Sequence, residues 1–476
     1  MSTSAHSDPN RKWWTLAAVA FGLFMIMLDN TVVNVALPAM QASLGLEISE
    51  LEWIVTGYAL VFGALMLTGG KLADMFGRRR IFVTGLVIFS LASLACGLAK
   101  SAATLIGARV VQGLGAALMN PATLSIITVA FPPRERGRAI GIWVGVSAFA
   151  LAIGPLVGGF IAEHMHWSWI FFINVPIGAV AIAVAFAYID ESKDTSHEQG
   201  ADVPGLLTSG IGLFALTYGL IEANAYGWGS PRIVGSLVVA VVMLAAFVAL
   251  ERHQRLPMLD LSLFRDRTFA GANTVALLSA LAMFGVFFYV SLYMQQVMRL
   301  TPVQAGLMFL PMTALIITIA PRAGRMVDRV GARMLVGVGQ SLVAVALFLY
   351  SRLAVDTTVW FLMVPMVISG AGMAMTMTPT TAAAMAAVSH DKAGVGSAVL
   401  NSARQVGGSI GIALMGAVVT ARLSRALAQG MAPPEAFVEG IRGGFLVAAA
   451  IAVAGAVVGF ATLRNHEHTA MAELLG

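Results

Sequence analysis

The sequence predicts an all-α integral membrane protein with fourteen transmembrane helices. Of its 476 residues, 58% are hydrophobic and 11% are charged, whereas a soluble domain usually carries about 25% charged residues. Long stretches such as 335–350 and 445–463 contain no charged residue. About 20 such residues in helical form cross a bilayer, because lipid cannot satisfy exposed backbone groups.

The apolar stretches divide the chain into fourteen predicted spans, with ends expected to be correct to within about four residues. The spans are 13–37, 51–70, 81–99, 104–130, 138–162, 168–188, 203–222, 233–250, 268–293, 303–321, 333–351, 359–387, 395–421 and 442–463. The first is too long for a signal-peptide core and no small-residue cleavage site follows it, so we interpret it as a retained helix. The single cysteine, Cys96, excludes an intramolecular disulfide.

The lysines and arginines fall mainly on one side of the predicted spans. With the N-terminus inside, twenty lie in cytoplasmic segments and seven on the other side, as the positive-inside rule predicts. We call these two sides the Arg-rich face and the opposite face. The asymmetry predicts a multi-pass protein of a bacterial cytoplasmic membrane with both termini in the cytoplasm. It also accounts for the net charge of +5 without a nucleic-acid partner.

A loop motif occurs twice. Residues 70–79 read GKLADMFGRR and residues 324–333 read GRMVDRVGAR, with glycine, aspartate, glycine and arginine at the same offsets. Both loops follow the second span of a six-helix set, which predicts a repeat of two bundles. The predicted units are a cytoplasmic tail (1–12), a first bundle (13–188), a linker with two inserted helices (189–267), a second bundle (268–463) and a cytoplasmic tail (464–476).

Three further stretches carry a family resemblance. They are 28–38 (LDNTVVNVALP), 105–117 (LIGARVVQGLGAA) and 167–178 (WSWIFFINVPIG). Together with the loop 70–79, they resemble motifs of the major facilitator superfamily and of its fourteen-span drug:proton antiporter branch. The resemblance covers nearly the whole chain, and it implies two six-helix bundles with two helices inserted between them.

The fifth span resembles the antiporter motif of the same branch. The matching residues include Gly154, Pro155, Gly158 and Gly159. Ala150 stands where the motif usually has glycine, which weakens the motif as an indication of export direction. Alanine is still small, so close packing of this helix remains the expectation.

Ionisable residues at membrane depth are functional hypotheses, because burying a charge in lipid is costly. Asp29 and Arg109 both fall in the outer halves of their spans, and the resemblance implies that these helices line the central cavity. We therefore expect Asp29 and Arg109 to face each other across a water-accessible cavity, with Asp29 as the proton-coupling carboxylate. Burial favours the neutral acid and a nearby arginine favours the carboxylate. The alternative is a structural ion pair that clamps two helices.

Three further residues are candidates for this central site. Glu222 ends the seventh span and is either an accessory proton site or an ordinary interfacial carboxylate. Asn34 and Gln112 are candidate hydrogen-bonding groups of the cavity, or else they hold helices together.

The loop 70–79 is predicted to control the conformation. Gly70, Asp74, Gly77 and Arg78 match the superfamily's cytoplasmic motif, which implies a latch between the two halves. Asp74 would then reach the positive N-terminus of span thirteen near 394–397, with Arg134 or Arg138 holding it. The alternative is that the arginines of this loop act only as a topology signal.

These features predict a proton-coupled exporter of hydrophobic, cationic drugs or dyes that works by alternating access. Methionine and aromatic side chains in spans nine and twelve suit a pocket that accepts many shapes. An exporter of one metabolite or siderophore on the same fold remains the main alternative, and a membrane-embedded enzyme is a remote one. No cofactor, metal site or ATP-binding motif is expected. The expected partners are the bilayer, amphiphilic small molecules and protons, and the protein is expected to act as a monomer.

Overall fold

The described part of the chain contains fourteen helical segments that are long and apolar enough to cross a membrane, which confirms the predicted fold class. The computed structural model describes residues 10–193, 202–254, 257, 259–388 and 393–463. The tail 464–476 and most of the tail 1–12 therefore lie outside the described residues.

Sixteen α-helices and one short 3₁₀ helix (Leu261–Arg265) make up the described chain. In chain order, the helices are α1 Arg11–Leu44, α2 Ile48–Phe76, α3 Arg78–Gly97, α4 Ala102–Ala130, α5 Pro133–His164, α6 Trp169–Phe172, α7 Asn174–Tyr188, α8 Val203–Tyr226, α9 Pro231–His253, α10 Arg267–Gln296, α11 Pro302–Met308, α12 Leu310–Val330, α13 Ala332–Tyr350, α14 Val359–Ala386, α15 Ala393–Ala428 and α16 Pro433–Thr462.

Two of the predicted spans consist of two helices each. The sixth span is broken at Ile173 between α6 and α7, and the tenth is broken at Phe309 between α11 and α12. Pro176 and Pro311 each lie in the first turn of the helix that follows the break. Proline is tolerated there because the first N–H groups of a helix have no partner within the helix.

Several helices extend more than four residues beyond the predicted spans. α1 continues to Leu44, α15 continues to Ala428 and α16 begins already at Pro433, whereas the predicted boundaries were 37, 421 and 442. The apolar run marks only the part of a helix that matches the hydrocarbon layer. Polar turns extend these helices beyond that layer, and hydropathy does not detect them.

The repeated loops have the same backbone feature. Gly77 lies between α2 and α3 with φ of 115°, and Gly331 lies between α12 and α13 with φ of 85°. Such positive φ values favour glycine, which has no Cβ. The second glycine of each loop copy therefore permits a tight turn between two helices. The side chain of Asp328, the aspartate of the second copy, lies outside the description.

The helices pack as two halves with a hairpin beside them. In the first half α1 packs against α4, α5 and α7, and α4 packs against α2 and α3. In the second half α10 packs against α15 and α16, and α13 packs against α14 and α16. The inserted helices α8 and α9 pack on each other, and α8 also contacts α2 of the first half and α15 of the second.

The hydrophobic core differs between the two faces. Towards the opposite face, one core joins buried residues of both halves, for example Leu37 and Ile54 with Phe288 and Leu347. Towards the Arg-rich face, each half has its own buried core, represented by Phe82 in the first half and Phe269 in the second, and among the described residues only the partly buried Leu67 of α2 packs from one half onto the core of the other. The structure is therefore a conformation in which the opposite face is closed.

Candidate functional site

Asp29 and Arg109 form a buried ion pair inside the first half. An oxygen of Asp29 in α1 lies 2.5 Å from Nη1 of Arg109 in α4. Both side chains are at most 2% exposed. In this conformation the two groups are in direct contact in a packed interior, rather than facing each other across a water-filled space as the sequence had suggested.

The guanidinium of Arg109 makes further contacts. Its Nε donates to the carbonyl oxygen of Ile54 (3.0 Å), and its Nη1 also donates to Oε1 of Gln112 (2.7 Å). The ring of Tyr58 lies 4.2 Å from the guanidinium carbon, a distance at which an aromatic face attracts a cation. These contacts help to make a buried charge tolerable, because they place acceptors and an aromatic face around the guanidinium.

Gln112 extends the pair into a network across four helices. Its Nε2 donates to Asp29 (3.0 Å) and lies within hydrogen-bonding distance of Ser93 in α3 (3.2 Å). Ser93 also accepts a hydrogen bond from Asn174 at the start of α7 (3.0 Å). The three family-like stretches 28–38, 105–117 and 167–178 therefore meet in one polar network, through Asp29, the Arg109–Gln112 pair and Asn174.

Asn34 is not part of this network. Its amide donates to the carbonyl oxygen of Asn30 one turn earlier in α1 (3.1 Å). The backbone carbonyl oxygen of Asn34 accepts a hydrogen bond from the hydroxyl of Ser291 in α10 (2.8 Å), which is a contact between the two halves. The sequence placed Asn34 in the cavity because it shares a helix with Asp29, but its side chain bonds to its own helix.

Glu222 is also separate from the Asp29 network. It lies near the end of α8, which packs on the outside of α2, and its carboxylate accepts from the indole N–H of Trp53 (3.1 Å). The prediction that grouped Glu222 with the central cavity therefore does not match this conformation. The inserted hairpin runs beside the bundle and not through its centre, a placement that hydropathy does not indicate.

The residues of the fifth-span motif lie at two helix contacts. A Cβ added at Gly154 or Gly158 would clash with α1, at Thr31 and Val32 respectively. On a neighbouring side of α5, Gly159 meets Pro302 and Pro155 meets Gly306, both in α11 of the second half. The small residues thus let α5 approach a helix of its own half and one of the other half.

The loop motif 70–79 contacts its own half and the linker, where Lys71 donates to the carbonyl oxygen of Pro257 (2.8 Å). Asp74 pairs with Arg78 one turn later at 2.9 Å, and Glu191 accepts from the backbone N–H groups of Arg79 and Arg80. Gly70 packs beside Pro121 of α4. Asp74 makes no described hydrogen bond to residues 395–428 of α15, and residue 394 of the predicted contact region lies outside the described side chains. Arg138 lies over the ring of Trp13, and the side chain of Arg134 lies outside the description.

No role is predicted from the sequence for Glu52, Tyr58 or Ser93, yet all three make polar contacts in the structure. Glu52 is buried and accepts a hydrogen bond from Tyr289 (2.6 Å). Polar residues at membrane depth were the available signal for all three. The partners could not be inferred, because they come from helices that are distant in sequence.

Two helical halves, the first with a buried ion pair in its interior, and an inserted hairpin beside them define a membrane transporter of the two-bundle type. A family model described as Major Facilitator Superfamily matches residues 19–412, and the chain belongs to that superfamily. The superfamily consists of transporters, not enzymes.

Two relatives and one solved structure illustrate the similarity. The chain is 36% identical to the tetracenomycin C resistance and export protein of Streptomyces glaucescens, over 89% of this chain and 81% of that protein. It is 37% identical to the multidrug resistance protein Stp of Mycobacterium tuberculosis (strain CDC 1551), over 87% of this chain and 77% of that protein. A crystal structure of a bacterial homologue of the human lysosomal transporter Spinster, inward-facing and unoccupied, has a TM-score of 0.68 with 19% identity, covering 95% of this chain and 97% of that one.

Proposed function

We propose that this protein is a proton-coupled exporter of hydrophobic drugs or antibiotics in a bacterial cell membrane. Two of its relatives are named as resistance or export proteins, which supports efflux. The observation that carries the proton coupling is the buried pair of Asp29 and Arg109 with Gln112. Both termini lie in the cytoplasm in this proposal, so that the Arg-rich face is the cytoplasmic one.

The chemistry follows from charge balance in a dry site. Asp29 is stable as a carboxylate while Arg109 and Gln112 donate to it, and it becomes a neutral acid when it takes up a proton. A cationic substrate near Asp29 favours release of that proton by the same electrostatics. Exchange of substrate for proton then needs no cofactor and no nucleotide, because the proton gradient supplies the free energy.

The test is efflux of ethidium from proteoliposomes under an imposed pH gradient. The parent is expected to export ethidium only when the gradient is present, and Asp29→Asn is expected to lose gradient-driven export. Asp190→Asn is the matched control, because Asp190 is exposed at the end of α7 and pairs with Arg11 on the surface. An Asp29→Asn protein that still exchanges protons for substrate would exclude Asp29 as the coupling residue.

A second candidate is an exporter of a single natural product. One relative is named for export of a single antibiotic, tetracenomycin C, whereas the other is named as a multidrug resistance protein. The same proteoliposomes, assayed with ethidium and with tetracenomycin C, separate the two candidates. Transport of both compounds supports the multidrug function, and transport of tetracenomycin C without ethidium supports the narrow one.

A further inference from the structure

A second carboxyl group is buried at the contact between the two halves. Glu52 lies in the second turn of α2, near the opposite face, yet it is only 2% exposed. Its Oε1 accepts a hydrogen bond from the hydroxyl of Tyr289 in α10 at 2.6 Å. Tyr289 is fully buried and belongs to the second half. The contact therefore joins the halves where the shared core closes the opposite face.

Among the described residues, no cation compensates the charge of Glu52. In the part of the chain that the structure describes, no Lys or Arg lies within ion-pair distance of it. α15 presents Gly416, where a Cβ would clash with the Glu52 carboxyl. α8 contributes a second acid, Glu222, bonded to Trp53. Arg109 of α4 contacts α2 at the carbonyl oxygen of Ile54 and the ring of Tyr58, and its charge is balanced by Asp29.

This arrangement links protonation of Glu52 to closure of the opposite face. An unpaired carboxylate is costly to remove from water, whereas a neutral acid with a hydrogen-bond partner is not. The nearby Glu222 adds repulsion against a second negative charge. Glu52 is buried only while α2, α10 and α15 remain together. Proton binding and closure must then favour each other, because coupling between two equilibria is reciprocal.

We propose that Glu52 is a second proton-binding site, distinct from Asp29, which takes up a proton from the opposite face and thereby allows that face to close against Tyr289. In the transport cycle, the open opposite face exposes the carboxylate after substrate leaves. Protonation converts the carboxylate to the acid, and the acid is buried as the halves close. The proposal rests on proton-coupled export for its place in the cycle, but the closure itself is measurable without transport.

The experiment measures the opening of the opposite face as a function of pH. Spin labels are attached at Lys100→Cys and Val355→Cys, which are exposed on the opposite face in the first and second half respectively. The background carries Cys96→Ala, because Cys96 is the only other cysteine. The protein is placed in lipid nanodiscs, and the distribution of distances between the labels is recorded from alkaline to acidic pH.

The parent is expected to shift to the short, closed distance as the pH falls. Glu52→Gln, which is neutral at every pH, is expected to stay closed and to lose this pH dependence. Tyr289→Phe keeps the carboxyl group and is expected to keep a pH-dependent distance, with more of the open form because a contact between the halves is lost. Glu435→Gln is the control, since Glu435 is exposed at the start of α16 on the same face, and it should behave as the parent does.

Two outcomes would overturn the proposal. One is a distance distribution in the parent that does not change with pH. The other is a pH dependence that survives in Glu52→Gln but disappears in Asp29→Asn, which would assign closure to the central pair. Failure of the proposed function is distinguishable from both. A parent that closes on acidification but shows no gradient-driven efflux would support the Glu52 site and contradict the proposed proton-coupled export.

Discussion

At the scale of single residues, the energetics of the first half depend on how Arg109 is paired. The guanidinium and the Asp29 carboxylate are each removed from water, and their contact offsets that cost only while both are present. Removing one partner leaves an uncompensated charge, whereas removing both leaves a polar but neutral site. Stability measurements on single and double variants can therefore distinguish the contribution of the ion pair from the effect of each residue alone.

We expect Arg109→Gln to be strongly destabilising, by about 3–5 kcal/mol, because it leaves Asp29 buried without its cation. The double variant Asp29→Asn/Arg109→Gln is expected to recover part of this loss, since no buried charge remains. The measurement is the midpoint of thermal unfolding in detergent. Arg422→Gln is the control, because Arg422 and Glu439 form an exposed pair, and such pairs contribute at most about 1 kcal/mol.

A double variant no more stable than Arg109→Gln would contradict this account, and would indicate that Arg109 matters mainly through Tyr58 and Ile54. These two contacts could not be predicted from the sequence, whereas the charged residues themselves could. Asp29 and Arg109 were predictable because a charge in an apolar span is rare. The ring of Tyr58 and the carbonyl of Ile54 come from α2, and no pattern within α4 indicates them.

At the scale of helices, α5 is the element whose small residues set the distance between the halves. Gly159 lies against Pro302 of α11 so closely that a methyl group would clash with its carbonyl. Gly141 in the same helix has nothing within 4 Å of an added Cβ. The two glycines thus provide a matched test of the contact, because both substitutions raise helix propensity equally.

We expect Gly159→Ala to force α5 away from α11 and so to increase the open population of the opposite face. The spin-label pair at positions 100 and 355 reports this as a larger fraction of the long distance. Gly141→Ala is expected to leave the distribution unchanged. An unchanged distribution in Gly159→Ala would mean that α11 adjusts to the methyl group without loss of the contact between the halves.

The elements also show how much of the fold the sequence determines. Apolar runs located all fourteen spans, because lipid imposes a strict requirement on length and polarity. The same runs gave no indication of the breaks at Ile173 and Phe309 or of the polar ends of α1 and α15. They also did not indicate that α8 would contact α15, where Asn224 donates to the carbonyl oxygen of Ala417 (2.7 Å). Such features depend on tertiary contacts rather than on local hydropathy.

At the scale of the whole molecule, the two faces differ in how they hold the halves together. The opposite face has a shared core with Glu52 and Asn34 at cross-half contacts. The Arg-rich face has separate cores and a motif whose Asp74 bonds to Arg78 of the same half. Alternating access requires a second conformation in which these roles are exchanged, and the latch prediction for Asp74 belongs to that conformation.

We predict that Asp74→Asn slows gradient-driven efflux and reduces closure of the Arg-rich face, because a neutral amide interacts less well with the positive N-terminus of α15. Spin labels at Val129→Cys and Met334→Cys, exposed at the Arg-rich ends of α4 and α13, measure that closure directly. Asp190→Asn, on the same face, is expected to change neither quantity. If Asp74→Asn leaves both the efflux rate and the distance distribution as in the parent, the motif acts only through its arginines, as a topology signal. Closure of the Arg-rich face would then depend on other contacts.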